Sequence, residues 1–266
     1  MGKTKNNLMQ PISVVIIAKN EAANIRDCIF SALQVSNDII VADSGSEDST
    51  QELAIKAGAR LLKVDWKGYG QTRNEAAKFA INDWILALDA DERLTPELAT
   101  SINNLSLPNN ATLYGFKIKS FLGPKKINFG EWGRQRIYRF YNKQQAAWDS
   151  TLVHEKITGK NIYRKIIPGD LLHYTMKDME EFRAKTILYA NLSAKKYADR
   201  GKKASLVKRF LSPVFSFIQN YLFRLGFLDG KEGLVIAYTS AKYVFLKYKF
   251  LHLLLQKKAV DNQATL

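Results

Sequence analysis

The apolar positions change period along the chain, and the changes mark the elements. "PISVVIIA" is a continuous β-branched run, the pattern of a strand buried on both faces. In "NEAANIRDCIFSAL", Ile25, Cys28, Ile29 and Ala32 fall at helical spacing, with Asn20 as the expected N-cap. "NDIIVADS" predicts a second strand, "EDSTQELAIKAGA" a helix stopped by Gly58, and "RLLKV" a third strand. A glycine-punctuated loop, "WKGYG", precedes a helix in "QTRNEAAKFAIN" and a fourth strand in "DWILALDADE". Strand and helix thus alternate with short connections from residue 11 to residue 92, which predicts a parallel sheet with right-handed crossovers.

Open sheets of this kind bind ligands beyond the carboxyl ends of their strands. Three strands end there in polar clusters, Lys19-Asn20-Glu21, Asp43-Ser44-Gly45-Ser46 and Asp89-Ala90-Asp91-Glu92, which are expected to converge on one crevice. Beyond "TPEL", a helix start with Pro96 in its first turn, the pattern changes. "TLYGFKIKSF", "RQRIYRFYN" and "QAAWD" predict strands of a mixed extension, and "KDMEEFRAKTILYANLSAKKYADRGKK" predicts a helix. Residues 205–255 are apolar, aromatic and basic together, and no internal repeat is present.

Composition narrows the class. With 266 residues, 46% of them hydrophobic, the chain can bury a sizeable core, which excludes global disorder and suits one α/β domain with something appended. The single cysteine, Cys28, can form no intrachain disulfide, as suits a reducing cytoplasm. The net charge of +15 is uneven: residues 171–266 hold 17 Lys/Arg against 7 Asp/Glu. A basic C-terminal third points to a polyanionic surface, whether phospholipid headgroups, a phosphorylated glycolipid or nucleic acid. The first apolar run is too short for a signal-peptide core and is ended by Lys19, and Asn6 breaks the myristoylation pattern, so export is not expected.

"WILALDADERL" carries the sharpest candidate chemistry. A buried strand cannot absorb charge cheaply, so its carboxylates must sit at the open end, in water or on a cation. An isolated D-x-D reads as a solvated turn with capping aspartates. Here the strand before it is strongly apolar, it ends where a parallel sheet presents its crevice, and an extended backbone would project Asp89 and Asp91 to one side. Two such carboxylates suit Mg²⁺ or Mn²⁺ shared with substrate phosphates. Neither G-x-x-x-x-G-K-[ST] nor a G-x-G-x-x-G after the first strand occurs, so cradling a diphosphate would fall to the metal.

"VVIIAKNEAANI", "IIVADSGSEDST", "GYGQTRNEAAKFA" and "WILALDADERL", in that order, resemble the successive signatures of the family 2 glycosyltransferases. Downstream, "EWGRQRIYRFY", "WDSTLVHEK", "GDLLHYT" and "LGFLDGKEGLVIAYTSAKYVFLKY" are similar to the bacterial subgroup that glycosylates the lipopolysaccharide inner core, a β-glucosyltransferase type. Gly133-Arg134 after Trp132 depart from that subgroup, which often has Pro there. The resemblance implies an α/β fold of the GT-A (Rossmann-like) class, a mixed sheet flanked by helices. It implies a catalytic domain over residues 1–175, with a nucleotide-sugar half about 11–100 and an acceptor half about 101–175. A basic amphipathic helical region would follow over 176–266.

The activity implied is inverting, metal-dependent transfer of a sugar, with UDP-glucose the leading donor, to a lipid-linked saccharide of the lipopolysaccharide inner core. By position, Ala18, Asn20 and Glu21 would line the nucleotide and Asp43 would bond its base. Arg73 would sit near the diphosphate or the metal-site carboxylates, and Asn74 would either join it or pack the helix on the sheet. Asp91 would hold the metal, while Asp89 would contact ribose or sugar or complete the metal shell. Asp43 and Asp48 also suit helix caps, and Asp48 is assigned to that role. For the general base the resemblance favours Glu155, with Asp149 second; His154 would orient substrate or phosphate, or be structural.

In the tail, residues 210–223 form the longest uncharged run, 14 residues. That falls short of the ~20 needed to span a bilayer. Lysines interleave with aromatics in "YTSAKYVFLKYKFLHLLLQKK", the mixture of interfacial helices on an anionic membrane surface, or else of a subdomain packed on the core or on a second copy. The expected location is therefore cytoplasmic, peripheral on the inner face of a bacterial inner membrane. Three other functions compete. A sugar-nucleotide nucleotidyltransferase needs a glycine-rich basic phosphate loop that "AKNEAAN" lacks. A nucleic-acid binder could stack bases on Tyr238, Tyr243, Phe245 and Tyr248, but the acidic strand end would repel phosphates without a metal, so no nucleic acid is expected. An inactive scaffold would have no use for the acidic positions.

Overall fold

The structure, a computed structural model, describes residues 10–108, 111–151, 155–176, 179–203 and 205–263. The chain forms two compact units, Met1–Ile118 with Arg136–His173, and Lys119–Gln135 with Tyr174–Leu266. Residues 119–135, read from the sequence as part of the acceptor half, thus pack with the second unit.

In the first unit, strands β1 (Ile12–Ala18), β2 (Asp38–Asp43), β3 (Arg60–Lys63) and β4 (Trp84–Asp89) alternate with helices α1 (Ile25–Ala32), α2 (Thr50–Lys56) and α3 (Tyr69–Ala77). The strands are parallel in the order β3-β2-β1-β4. The continuous apolar runs of β1, β2 and β4 are explained by burial on both faces, while β3, at the sheet edge, is only partly buried. Ile12, Val14 and Ile16 of β1 join Trp84, Leu86 and Leu88 of β4 in the core under α1. Val15 and Ile17 join Ile85 and Ala87 in the core under α3. The alternation is the two-residue period of a strand, and each fully buried Ile or Leu contributes ~1.5–3 kcal/mol.

Beyond β4 the sheet turns antiparallel. After β5 (Glu92–Leu94) and α4 (Pro96–Asn103) come β6 (Thr112–Leu122), β8 (Arg136–Asn142) and β11 (Tyr163–Met176), and the sheet continues β4-β8-β6-β11-β5. Strands β9 (Ala146–Trp148) and β10 (Ile157–Gly159) form a separate hairpin. The result is the α/β mixed sheet flanked by helices that the GT-A class requires.

One helix start differs from the sequence expectation. Helix α1 begins at Ile25 with Asn24 at its N-cap, rather than after Asn20. Asn20 has φ +56°, a left-handed conformation that Asn tolerates, and its Oδ1 accepts the Glu47 amide at 2.8 Å. That side chain therefore ties the β1 end to the β2–α2 loop and cannot cap a helix.

The second unit holds the β6 tip with β7 (Lys125–Lys126), then α5 (Met179–Asp199), α6 (Leu206–Ile218), a π-helical turn (Gln219–Phe223), a short 3-10 turn (Gly226–Asp229) and α7 (Lys231–Gln263). Leu122, Ile127, Phe182 and Ile236 make its buried core, with Trp132 packed against them. Buried Asp229 accepts the Asn128 and Phe129 amides at 3.2 and 2.8 Å, stitching the 125–129 segment to the start of α7. Gly233 leaves room there for the Gly226 carbonyl, which any Cβ would strike. Among the described residues, no helix is long and apolar enough to cross a membrane.

Candidate active site

Four pieces of the first unit meet at the carboxyl end of β4. The first is the acidic turn itself. β4 ends at Asp89, the chain turns through Ala90 and Asp91, and β5 starts at Glu92. The expected projection of Asp89 and Asp91 to one side assumed an unbroken strand; the turn separates them, and they take different partners.

Asp89 is held by two guanidiniums. Arg139, carried to the β4 end by antiparallel β8, meets it with Nη1 at 3.3 Å and Nη2 at 2.9 Å, and Arg73 Nη2 bonds Asp89 Oδ1 as well. Burial would raise the Asp89 pKa, but the charges of Arg139 and Arg73 outweigh it and hold the carboxyl well below the usual range. Conversely, Asp89 and Glu92 overcome the burial of Arg139 and raise its pKa. Glu92 is 0% exposed; it accepts the Asp89 amide at 2.8 Å and lies 3.5 Å from Arg139. Burial, with Asp89 adding to it against the pull of Arg139, pushes its pKa up to about 7.

Asp91 instead faces His173, Oδ2 to Nε2 at 3.2 Å. The β11–β5 register, with His173 opposite Glu92, places the imidazole there. Burial alone would lower the His173 pKa, but Asp91, Glu92 and Asp89 outweigh it and raise it to about 9. This pair supplies one oxygen and one nitrogen donor. Among the described residues no three His, Cys, Asp or Glu side chains gather into a ready cation site. Two protein donors fit a divalent ion that keeps positions open for substrate phosphates.

The third piece is Arg73, 1% exposed in the middle of α3 rather than at its opening. Besides Asp89 it holds Glu155, Nη1 to Oε1 at 2.6 Å, and its guanidinium lies over the Trp148 ring at 4.6 Å. A single cation therefore joins the first aspartate of the acidic turn to the expected base. The fourth piece, the segment around Trp148 and Glu155, is pinned against α3. Asn74 donates to the Trp148 carbonyl at 2.9 Å and accepts its amide at 3.0 Å. Gly70 allows the close approach: a Cβ there would lie 2.5 Å from the Asp149 carbonyl oxygen.

Several expected ligand residues also make bonds that hold the local architecture. Both polar ends of the Asn74 amide pair with the Trp148 backbone, which ties α3 to the end of β9. Asp43 is 1% exposed, and its carboxylate accepts the Gly45 and Ser46 amides at 3.1 and 3.0 Å, Gln51 Nε2 at 2.8 Å and the Ser46 hydroxyl. These bonds shape the loop that follows β2. The N-cap position of α2 is Ser49 rather than Asp48, whose carboxylate accepts the Thr50 amide at 3.0 Å and the Ala22 amide at 3.1 Å. The Ala18 carbonyl accepts the Ser44 amide at 3.1 Å, and Asn20 and Glu21 give their amides to Ser46 and Thr50 hydroxyls. These bonds fix the two loop ends that border the crevice. The Asp149 carboxylate accepts the Thr151 amide and hydroxyl at 3.2 and 2.6 Å, a local turn. His154 lies outside the described residues.

Two functional candidates escaped the sequence reading. Arg139 and His173 both lie within segments that resemble the subgroup, "EWGRQRIYRFY" and "GDLLHYT", but their meaning depends on strand pairings made across 50 and 82 positions of sequence. Beneath the turn, Cys28 Sγ donates to the Asp89 carbonyl at 3.4 Å.

A guanidinium-held carboxylate beside an acidic turn, at the carboxyl end of a parallel sheet, lies where open α/β sheets bind their ligands. A model of glycosyl transferase family 2 matches residues 13–168. An uncharacterized glycosyltransferase of Rickettsia prowazekii is 30% identical over 90% of this chain and 86% of its own length. The lipopolysaccharide core biosynthesis glycosyltransferase LpsC of Rhizobium meliloti is 31% identical over 89% of this chain and 90% of its own. The solved glucosyl-3-phosphoglycerate synthase from Mycobacterium tuberculosis, in complex with Mn²⁺, UDP and phosphoglyceric acid, aligns at 25% identity over 41% of this chain and less than half (43%) of its own. Its TM-score of 0.33 is too low to bear on the reading. The chain belongs to glycosyl transferase family 2, and it is a glycosyltransferase.

Proposed function

We propose that the protein transfers a hexose, with inversion, from a uridine diphosphate sugar to a hydroxyl of a lipid-linked saccharide, the lipopolysaccharide inner core being the leading acceptor. UDP-glucose is the leading donor. The observation that carries the reading is the Arg73 bridge between Asp89 and Glu155. It holds the Glu155 carboxyl at a fixed place beside the acidic turn where the donor diphosphate would lie.

In the step itself, the acceptor oxygen attacks the anomeric carbon while the bond to the diphosphate breaks and its electron pair leaves with the nucleotide. Glu155 takes the acceptor proton on the face opposite the leaving group. Asp91 and His173 would hold Mg²⁺ or Mn²⁺, which when bound supplies positive charge to the departing diphosphate. Asp89, already committed to Arg73 and Arg139, serves this reading better as the anchor of both arginines than as a metal ligand. The similarity to LpsC supports the acceptor class. A lipid-borne acceptor and the basic C-terminal third support peripheral attachment to the cytoplasmic face of a membrane.

The deciding experiment is a donor screen: thermal stabilisation by UDP-, GDP- and CMP-sugars with and without Mn²⁺, followed by label transfer from the best donor to a heptose-containing core lipid. UDP-sugars with Mn²⁺ should stabilise and transfer. Stabilisation by nucleoside triphosphates with pyrophosphate release would replace the reading with a nucleotidyltransferase, and silence from every donor would end it.

A further inference from the structure

Helix α6 and the turn after it carry more exposed apolar surface than a water-facing helix has reason to hold. Leu206, Val207, Phe210, Leu211, Val214 and Phe215 are each between 56 and 64% exposed, and Phe223 beyond them is 75% exposed. At 100° per residue these α6 positions fill one half of the helix circumference. Among its described side chains, α7 exposes only Leu234, Tyr238 and Leu253 of its large apolar residues, despite its apolar and aromatic sequence. Its Tyr243 hydroxyl pairs with Ser193 of α5 at 2.7 Å, and its Lys247 lies over the rings of Tyr197, Tyr243 and Tyr248 at 4.9–5.7 Å. The lysine–aromatic mixture in α7 thus packs toward α5, and Phe210 of α6 meets Phe245 of α7 with ring centroids 6.1 Å apart; Leu206, Val207, Leu211, Val214 and Phe215 form the exposed remainder of the α6 face.

Charge says what covers that face. Residues 200–228 contain six cations, Arg200, Lys202, Lys203, Lys208, Arg209 and Arg224, and no acid. Lys202, Lys203 and Lys208 are exposed, Lys208 in the first turn of α6 and the other two just before it in the sequence. A second copy seated face to face would bring two such all-cationic segments together, at a cost. An anionic lipid surface matches both halves, acyl boundary for the rings and leucines and headgroups for the lysines. Thirteen residues of helix reach about 20 Å, so α6 cannot cross a ~30 Å hydrocarbon core and would lie along its boundary.

We propose that α6 and the turn through Phe223 are the membrane-docking element of this protein, inserting into an anionic leaflet while α5 and α7 hold them in place. The inference deepens the proposed attachment to a membrane but needs neither donor nor acceptor to be tested. The test is flotation of the full chain with vesicles of phosphatidylcholine alone or mixed with phosphatidylglycerol. The wild type should float with the anionic vesicles only, and less as salt rises. Val207→Ser/Leu211→Ser/Phe215→Ser should weaken binding by about a hundredfold. Lys202→Glu/Lys203→Glu/Lys208→Glu, all at exposed positions, should abolish it with an unchanged circular dichroism spectrum. Wild-type binding by either variant overturns the proposal. So does a dimer in sedimentation that the serine variant dissociates while vesicle binding persists, since the face would then be a contact between copies. Flotation without any transferase activity would count against the reading of the active site and leave the docking element standing.

Discussion

Replacing Arg139 by Met removes a cation from a buried acidic cluster while keeping side-chain length. Removing one partner of a buried ion pair typically costs ~3–5 kcal/mol. Two features of the site reduce that figure. Asp89 keeps Arg73, and Glu92, with its pKa near 7, can take up a proton at neutral pH at little cost. We therefore expect a loss of ~2–3 kcal/mol at pH 7. The pH dependence is the sharper signature. A carboxyl raised from its ordinary 4.5 to about 7 makes the folded state bind more protons than the unfolded state between those values, so stability falls as pH rises through that window. Without Arg139 the Glu92 pKa rises further, and the window of falling stability extends above pH 7. The penalty of the variant should then widen by up to ~1.4 kcal/mol per pH unit between pH 7 and 8. Urea titrations of both proteins at several pH values, read by tryptophan fluorescence, would measure it; Trp66, Trp84 and Trp148 all lie in the first unit. A penalty below ~0.5 kcal/mol, or one that is flat with pH, would refute the account of the cluster.

The remaining expectations concern the chemistry. Glu155→Gln should lower kcat by ~10²–10⁴ while UDP-sugars still raise the melting temperature, and turnover at the wild-type rate would remove Glu155 as the base. His173 is protonated at pH 7, so an ion must displace that proton. Calorimetric Mn²⁺ affinity should tighten ~tenfold per pH unit up to about pH 9, a slope that His173→Ala abolishes. The same raised pKa means the His173–Asp91 pair stabilises the fold fully below about pH 6.5 and loses that contribution through about pH 9. Gly70→Ala should lower both the melting temperature and kcat, because its Cβ would press on the Asp149 carbonyl beside Glu155. Elsewhere in a helix the same change stabilises by up to ~1 kcal/mol, so a more stable variant would contradict the close approach.

Strands β1, β2 and β4 were legible because burial on both faces leaves an uninterrupted apolar run, as in Ile85–Leu88, that few other elements produce. The acidic turn was legible for the same reason: charge at the end of such a run has to lie in the crevice. The roles of individual polar residues were far less so. Asn74 and Asp43 stand where a ligand contact would be expected, and the structure gives both to backbone groups that would otherwise lack partners. A side chain that mimics a missing backbone bond looks, in one dimension, the same as one that waits for a substrate. Arg139 and His173 have the opposite problem. Their surroundings come wholly from antiparallel pairing, whose register no local pattern specifies. In the tail, charge and hydrophobicity were plain, but only helix packing distinguishes the inward rings of α7 from the outward ones of α6.

The position of Cys28 gives the acidic turn a built-in reporter. Its thiol is buried, and burial, reinforced by the carboxylates above, pushes its pKa well above the ordinary value, so it carries almost no nucleophilic sulfur at neutral pH. Alkylating reagents must wait for the floor of the crevice to open. The rate of labelling by iodoacetamide therefore clocks the breathing of the turn, and a ligand that closes over Asp89 should slow that clock without touching the sulfur.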